Sequence, residues 1–251
     1  MSKSRKRADQ LLVEQGLAES RERAKRMIMA GEVFRHPEGR EPERVDKPGQ
    51  LLPVATRFTV SKRQRFVSRG GDKLESAMGH FRVRLEGGIC LDVGASTGGF
   101  TDCLLQHGAR RVYATDVGRG LLDQRLRHDP RVVVLEGINF RYAARDLLPE
   151  KVDLAVADCS FISLRAILPP IPAFLGPEGR ILALVKPQFE LERSRVGKGV
   201  VRSPELQREA VDRLRRYAED ELGLCFFGSV PSGIKGPKGN QEHFLLLGSS
   251  R

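Results

Sequence analysis

The sequence lacks the features that mark several large classes of protein. Its four cysteines are scattered through 251 residues without a Cys-x-x-Cys pair, and its five histidines form no ligand-spaced cluster. We therefore expect neither a disulfide framework nor a metal site. No apolar stretch approaches the roughly 20 residues of a membrane-spanning helix, and the basic N-terminus has no apolar core of a secretory signal. These absences predict a cytoplasmic protein that does not associate with a membrane.

Acidic residues are outnumbered. The chain has 43 Lys and Arg against 32 Asp and Glu, a formal charge of +11. A charge of this size favours an acidic partner, nucleic acid first. The excess is uneven, since residues 1–67 hold 16 basic and 9 acidic side chains, net +7, and the other 184 residues hold only +4. The sequence thus predicts a basic module in the first quarter of the chain.

The sequence of the basic module predicts two short helices followed by a strand. Ser20 can cap a second helix that runs to Met29 and ends at Gly31, and Phe58 and Val60 alternate as in a strand. The segments 7–13, 16–18, 20–33 and 47–49 resemble the S4-type RNA-binding domain, a small module of ribosomal and RNA-modifying proteins. The resemblance implies that this part of the chain binds RNA. The candidate RNA contacts are Arg5, Lys6, Arg7, Arg21, Arg23, Lys25, Arg26 and Arg69.

From about residue 70 the pattern changes to short β-branched runs separated by helix-length segments. Buried strands are predicted at 89–93, 112–115, 132–135, 154–157 and 181–185, with a further strand at 244–247. Alternation of this kind favours an α/β fold with a parallel sheet. In such sheets a ligand binds beyond the carboxyl ends of the central strands.

The first of these strands ends in a glycine turn, 94–99, that leads into a helix. A purely structural turn is one interpretation, and a nucleotide site is another. Phe100 stands where a phosphate-binding loop needs lysine, and the glycine spacing fits a dinucleotide fingerprint poorly. A turn of small residues with Asp92 before it and Asp116 at the end of the next strand is typical of S-adenosylmethionine sites.

Polar residues at later strand ends bear on the methyl acceptor. Asp158 lies in Val-Ala-Asp-Cys-Ser-Phe, which contains neither the Pro-Pro-aromatic sequence of amino-methyltransferases nor a Pro-Cys nucleophile, so base methylation is disfavoured. Lys186 directly follows an apolar strand, where a desolvated amine can serve as a general base for a hydroxyl. Lys73 and Glu242 are candidates for the same edge. Taken alone, each of these residues can also be explained as an ordinary surface side chain.

Together, Lys73, Asp158, Lys186 and Glu242 resemble the Lys-Asp-Lys-Glu tetrad of the FtsJ-like ribose 2′-O-methyltransferases. With the basic module, residues 5–247 resemble the TlyA family, also labelled hemolysin A, whose members methylate cytidine ribose in ribosomal RNA. The resemblance implies a Rossmann-like, seven-stranded methyltransferase domain at 70–251, a linker at 61–69 and a small α+β S4-type domain at 1–60. It also implies S-adenosylmethionine as donor and ribosomal RNA or ribosomal subunits as partner.

The resemblance assigns roles to the tetrad and to a donor site. Lys186 removes or guides away the ribose 2′-hydroxyl proton, and Lys73 keeps the basic form of that amine accessible. Asp158 positions Lys186 and the methyl group, and Glu242 orients the ribose and Lys73. The expected donor contacts are Asp92, Gly94, Ala95, Ser96, Thr97, Gly98, Gly99, Asp116, Val117, Ile138, Asn139 and Asp158. Arg141, Lys235 and Lys238 are further candidates for RNA phosphates.

Two other functions stay open at this point. A degenerate methyltransferase fold could act as an RNA-binding assembly factor, and the hemolysin label raises membrane lysis, although no long amphipathic helix supports it. Members of the family that modify both ribosomal subunits have longer termini, so the short ends of this chain favour large-subunit RNA.

Overall fold

The chain folds into two units, Met1–Gln64 and Arg65–Arg251. The computed structural model describes residues 4–29, 32–37, 41–60, 65–197, 199–236 and 239–249. The division after Gln64 falls inside the stretch predicted as a linker.

The N-terminal unit is a small α+β structure. Its helices are α1 (Ala8–Glu14) and α2 (Arg21–Met29), and its strands are β1 (Arg5–Arg7), β2 (Val33–His36), β3 (Glu43–Arg44), β4 (Leu51–Pro53) and β5 (Arg57–Val60). Strands β1 and β4 pair antiparallel, and β2 lies between β3 and β5. Apolar faces of both helices, including Leu11, Leu12 and Ile28, bury themselves against the strands. The Ser20 hydroxyl accepts the Arg23 N–H at 3.2 Å, which confirms the predicted cap; the predicted helix end at Gly31 lies outside the described residues.

The C-terminal unit is built on one sheet. Its strands are β6 (Ile89–Val93), β7 (Arg111–Asp116), β8 (Val132–Glu136), β9 (Val152–Ala157), β10 (Leu175–Val185), β11 (Leu224–Pro231) and β12 (His243–Ser249). They lie in the order β11-β12-β10-β9-β6-β7-β8, parallel from β10 to β8, with β12 antiparallel to both of its neighbours. This confirms the predicted α/β sheet of seven strands.

Helices cover both faces of this sheet, because side chains that alternate along a buried strand supply two cores. The helices are α3 (Arg69–Phe81), α4 (Gly99–Gln106), α5 (Gln124–Arg127), α6 (Pro187–Glu190) and α7 (Pro204–Asp220). Leu91 of β6 shares one core with α7, and Cys90 shares the other with α3 and α4. The chain runs outward from β6 in one direction and from β9 in the other. The switch point of the fold therefore lies between β6 and β9, where a ligand crevice is expected.

The structure corrects two sequence predictions. Strand β10 begins at Leu175, six residues before its predicted start, and β11 was not predicted. The linker prediction is wrong for residues 65–69. Phe66 is buried with α3 and α4, the Val67 N–H donates to Asp102 at 2.8 Å, and Ser68 caps α3. These residues therefore belong to the C-terminal unit, while residues 61–64 lie outside the described part of the chain.

Candidate active site

Strand register brings three predicted donor residues side by side at the switch point. Strands β7 and β9 flank β6 in parallel, and the ladders align the position after β6 with Asp116 at the end of β7 and with Asp158 after β9. That position is Gly94. A carboxylate therefore stands on each side of the glycine turn.

The backbone of the turn requires Gly94. Its φ is +85°, and a Cβ there would lie 2.7 Å from the carbonyl oxygen of Asp158. Gly98, at φ +94°, is the N-cap residue of α4. With glycine at both positions the turn passes close under the crevice and α4 begins directly behind it.

Asp116 fixes the turn and still has acceptor capacity. Its Oδ2 accepts the Ser96 N–H at 2.8 Å, and its Oδ1 accepts the Gly118 N–H at 2.7 Å. A carboxylate has about four lone-pair sites, so two such bonds leave room for ligand hydroxyls. Asp116 is thus suited to hold a ribose through both of its hydroxyls.

A cavity of about 650 Å³ opens over this edge, within the roughly 300–1,000 Å³ usual for small-molecule sites. Seven predicted donor contacts line it: Gly94, Ser96, Asp116, Val117, Ile138, Asn139 and Asp158. The predicted contacts Ala95, Thr97, Gly98, Gly99 and Asp92 do not. The apolar side chains of Val117, Leu121 and Ile138 give a purine a surface to pack against beside the carboxylate. The residues present therefore fit an adenosine-containing donor.

Asp92 lies behind the turn instead of in the cavity. It is fully buried, and its Oδ2 accepts the Thr101 hydroxyl of α4 at 2.7 Å. Burial, opposed by that hydrogen bond and reinforced by Asp158, raises the pKa of Asp92 to about 7. Asp92 thus braces the start of α4 and can influence a ligand only through the turn.

Asp158 and Lys186 form the first of two ion pairs at the sheet edge. Their Oδ1 and Nζ atoms are 2.5 Å apart, and Nζ also donates to the Ser160 hydroxyl at 2.7 Å. Lys186 is only 7% exposed. Because β9 and β10 are parallel neighbours, their carboxyl ends bring these residues together.

Lys73 and Glu242 form the second pair. Nζ of Lys73, on α3, donates to Glu242 Oε2 at 2.6 Å, and Glu242 is completely buried. The other carboxylate oxygen, Oε1, receives no hydrogen bond from the described residues. The antiparallel register of β10 and β12, continued by one residue, sets Glu242 opposite Lys186. All four residues of the predicted tetrad thus form two ion pairs at one edge.

The profile of the FtsJ-like methyltransferase family matches residues 66–249. The chain belongs to the FtsJ-like methyltransferase family.

Two relatives and one solved structure match nearly the whole chain. A candidate rRNA methyltransferase of Bacillus subtilis, YqxC, is 46% identical over 250 residues, covering 98% of this chain and 87% of the relative. The Mycobacterium tuberculosis protein named 16S/23S rRNA (cytidine-2′-O)-methyltransferase TlyA is 43% identical over 251 residues, covering 97% and 90%. A solved candidate hemolysin from Streptococcus thermophilus has a TM-score of 0.75 at 42% identity, covering 99% and 90%. These findings confirm the resemblance inferred from the motifs.

In the N-terminal unit, which the FtsJ-like match does not include, four of the predicted RNA contacts are engaged in ion pairs. Arg7 and Arg21 both pair with the buried carboxylate of Asp9, at 2.8 and 3.4 Å. The Arg7 guanidinium lowers the pKa of Asp9. Lys6 pairs with Glu14 and Lys25 with Glu22. Arg7 and Arg21 therefore brace the fold of this unit, whatever else they contact.

The other predicted RNA contacts are more available. Arg5, Arg23 and Arg26 are exposed and form no ion pair with a described residue. Arg69, at the start of the FtsJ-like domain, donates to the carbonyl oxygen of Lys235 at 2.9 Å. Arg141 lines the cavity and stacks on Tyr142, while Lys238 lies outside the described residues.

Sequence reasoning missed several features of the FtsJ-like site. Ser160, the hydrogen-bond partner of Lys186, and Phe161 both line the cavity. Phe161 is 91% exposed and has a φ of +65°. The only signal for them in the sequence was their position two and three residues after Asp158. Among the described residues, no group of acidic, His and Cys side chains is arranged to hold a metal ion, and no helix is long and apolar enough to cross a bilayer.

Proposed function

We propose that this enzyme transfers the methyl group of S-adenosylmethionine to the 2′-oxygen of a cytidine ribose in ribosomal RNA. The observation that carries the proposal is the presence of two Lys–carboxylate ion pairs at one sheet edge, where Asp158 of one pair also lines the cavity. The cytidine and the ribosomal RNA come from the name of the M. tuberculosis relative, 43% identical over nearly the full chain.

The donor, when bound, supplies a methyl group activated by a sulfonium, so the protein needs chiefly to align an acceptor oxygen and assist the loss of its proton. Asp116 holds the ribose of the donor, and the side chains of Val117 and Ile138 pack against its purine. Because Gly94 has no side chain, the donor can approach the backbone closely beside Asp158.

Lys186 manages the acceptor proton. Its Nζ forms an ion pair with Asp158 and donates a hydrogen bond to the Ser160 hydroxyl. In the proposed reaction Nζ passes one proton to the paired Asp158 carboxylate and takes up the proton of the 2′-hydroxyl as the oxygen gains the methyl group. Asp158 and Ser160 fix the direction of Nζ, and the Lys73–Glu242 ion pair lies beside it.

RNA binding divides between the two units. The net charge of +7 in residues 1–67, with exposed Arg5, Arg23 and Arg26 on the N-terminal unit, suits a phosphate backbone. Phe161 offers an exposed ring at the mouth of the cavity, where a single-stranded base can stack. We accordingly propose that residues 1–60 dock RNA and residues 65–249 modify it.

Isolated ribosomal subunits test this proposal. Large and small subunits lacking ribose methylation are incubated separately with the enzyme and S-adenosylmethionine, and their RNA is digested to nucleosides for mass spectrometry. We expect 2′-O-methylcytidine from large-subunit RNA, and the small-subunit reaction shows whether both are substrates. A methyl group found only on a base, or donor binding without any transfer to either subunit, would overturn the proposal.

A further inference from the structure

The segment that follows β9 has two tasks in the site. Residues 158–162 line the donor cavity, and two of them, Asp158 and Ser160, hold Nζ of Lys186. A change in the path of this segment would therefore alter the donor cavity and the proton acceptor together.

The path of the segment is strained at Phe161. A φ of +65° is a left-handed conformation that a bulky side chain rarely adopts, and it costs free energy that neighbouring contacts must offset. Phe161 is itself 91% exposed, so burial of its own ring contributes little. The strain must be offset by contacts on either side of this residue.

Glu190 supplies such contacts just beyond the strained residue. Its Oε2 accepts the Ser163 hydroxyl at 2.5 Å, and its Oε1 accepts the Leu164 N–H at 2.8 Å. Burial raises the pKa of Glu190, and the hydrogen bonds from Ser163 and Leu164 oppose that shift. Leu164 is buried in the core, so the far end of the segment is fixed both by packing and by this carboxylate.

Glu190 also belongs to the segment that carries Lys186. It ends the short helix α6, four residues after Lys186. The rings of Phe161 and Phe189 lie 5.4 Å apart and add an apolar contact between the two segments, but a ring contact does not determine a backbone angle. One carboxylate therefore ties the loop after β9 to the loop after β10.

We propose that Glu190 is a positioning residue for methyl transfer: by binding Ser163 and Leu164 it holds the 158–162 segment in the strained path that shapes the donor cavity and directs Lys186. This inference rests on the proposed function for its activity measurements. The measurement of donor affinity does not depend on methyl transfer, because it tests only the shape of the cavity.

Three single variants, one double variant and a control test the proposal. In Glu190→Ala both bonds are removed. In Glu190→Gln the side-chain oxygen can still accept the Leu164 N–H while the amide donates to the Ser163 oxygen. Ser163→Ala removes one of these two bonds and also the acceptor of the Arg165 N–H. Glu192→Ala, two residues from Glu190 and exposed, is the matched control. Each protein is assayed for thermal unfolding, for donor affinity by calorimetry, and for kcat and KM with ribosomal subunits.

For Glu190→Ala we expect kcat to fall about 10- to 100-fold, as misplacement on the scale of an ångström does, with weaker donor binding and an unchanged KM for RNA. Glu190→Gln should recover most of both losses. Adding Ser163→Ala to Glu190→Ala should lower kcat less than Ser163→Ala does in the wild type, because the bond between the two side chains is already absent. Glu192→Ala should match the wild type.

Two results would overturn the role of Glu190. One is Glu190→Ala with wild-type kcat and donor affinity. The other is a lowered unfolding temperature with kcat normal at temperatures where the variant is folded, since that pattern describes a stabilising residue only. If the wild type itself transfers no methyl group, the proposed function fails instead, and the donor affinities of the variants still decide whether Glu190 shapes the cavity.

Discussion

The buried carboxyl group of Asp92 should make the stability of the catalytic domain depend on pH. The pKa of Asp92 is raised from 3.8 to about 7, chiefly by burial. In the unfolded chain the group ionises near pH 4, whereas in the folded chain it keeps its proton until about pH 7. Its stabilising contribution is therefore complete below pH 4 and is lost as the pH rises to about 7.

The magnitude follows from the linkage relation. Above pH 5 the unfolded state has released the proton and the folded state largely keeps it, so stability falls by up to about 1.4 kcal/mol per pH unit; because the folded state is half ionised at about pH 7, the total between pH 5 and pH 7 is about 2 kcal/mol. Asp92→Asn removes this dependence. Its oxygen can still accept the Thr101 hydroxyl, so any constant cost of the amide affects all pH values equally.

Urea unfolding at pH 5, 6 and 7, followed by circular dichroism, measures the effect. The difference in unfolding free energy between Asp92→Asn and the wild type should shift by about 2 kcal/mol in favour of the variant over this range. The exposed Asp212→Asn variant serves as the control and should follow the wild type. Parallel curves for Asp92→Asn and the wild type would refute the reasoning, because Asp92 would then ionise alike in both states.

Three further predictions concern binding and the fold of the N-terminal unit. Asp116→Ala should weaken donor binding at least tenfold by calorimetry, since it removes the ribose acceptor and releases the Ser96 turn; unchanged affinity would remove Asp116 from the donor site. Replacing both Arg23 and Arg26 with Gln should weaken RNA binding at all sequences and reduce its salt slope by about one for each phosphate that the variant no longer neutralises. Equal salt slopes for the double variant and the wild type would count against this docking face. Arg7→Ala should instead lower the unfolding temperature of the N-terminal unit, because it leaves Asp9 buried with only the longer Arg21 ion pair.

Much of the sheet could be predicted because parallel strands buried on both faces are continuous apolar runs. Strand β6 has the predicted bounds, and β7 and β9 extend theirs by one or two residues. Strand β11 was missed because Gly228 and Pro231 interrupt its run, and a register shift between Phe226 and Gly228 accommodates the break. Residues 65–69 were predicted as part of a linker because charged residues dominate the local composition, whereas the burial of Phe66 depends on its packing against α3 and α4.

The site was predictable to the extent that motifs stand at strand ends. The sequence placed Asp116, Asp158 and Lys186 at the correct edge because each follows or ends an apolar strand. It could not place Asp92 behind the turn, since alternation along a strand does not say which face a ligand occupies. Nor could it show Glu190 holding Ser163, which depends on how two loops meet 27 residues apart.

The central claim is that Lys186 serves ribose methylation at this sheet edge. The most direct test is the yield of 2′-O-methylcytidine from ribosomal subunits with Lys186→Ala, alongside donor and RNA affinities for the same protein. The account predicts no detectable product with both affinities near the wild-type values. A variant that still forms 2′-O-methylcytidine at a comparable rate would contradict it.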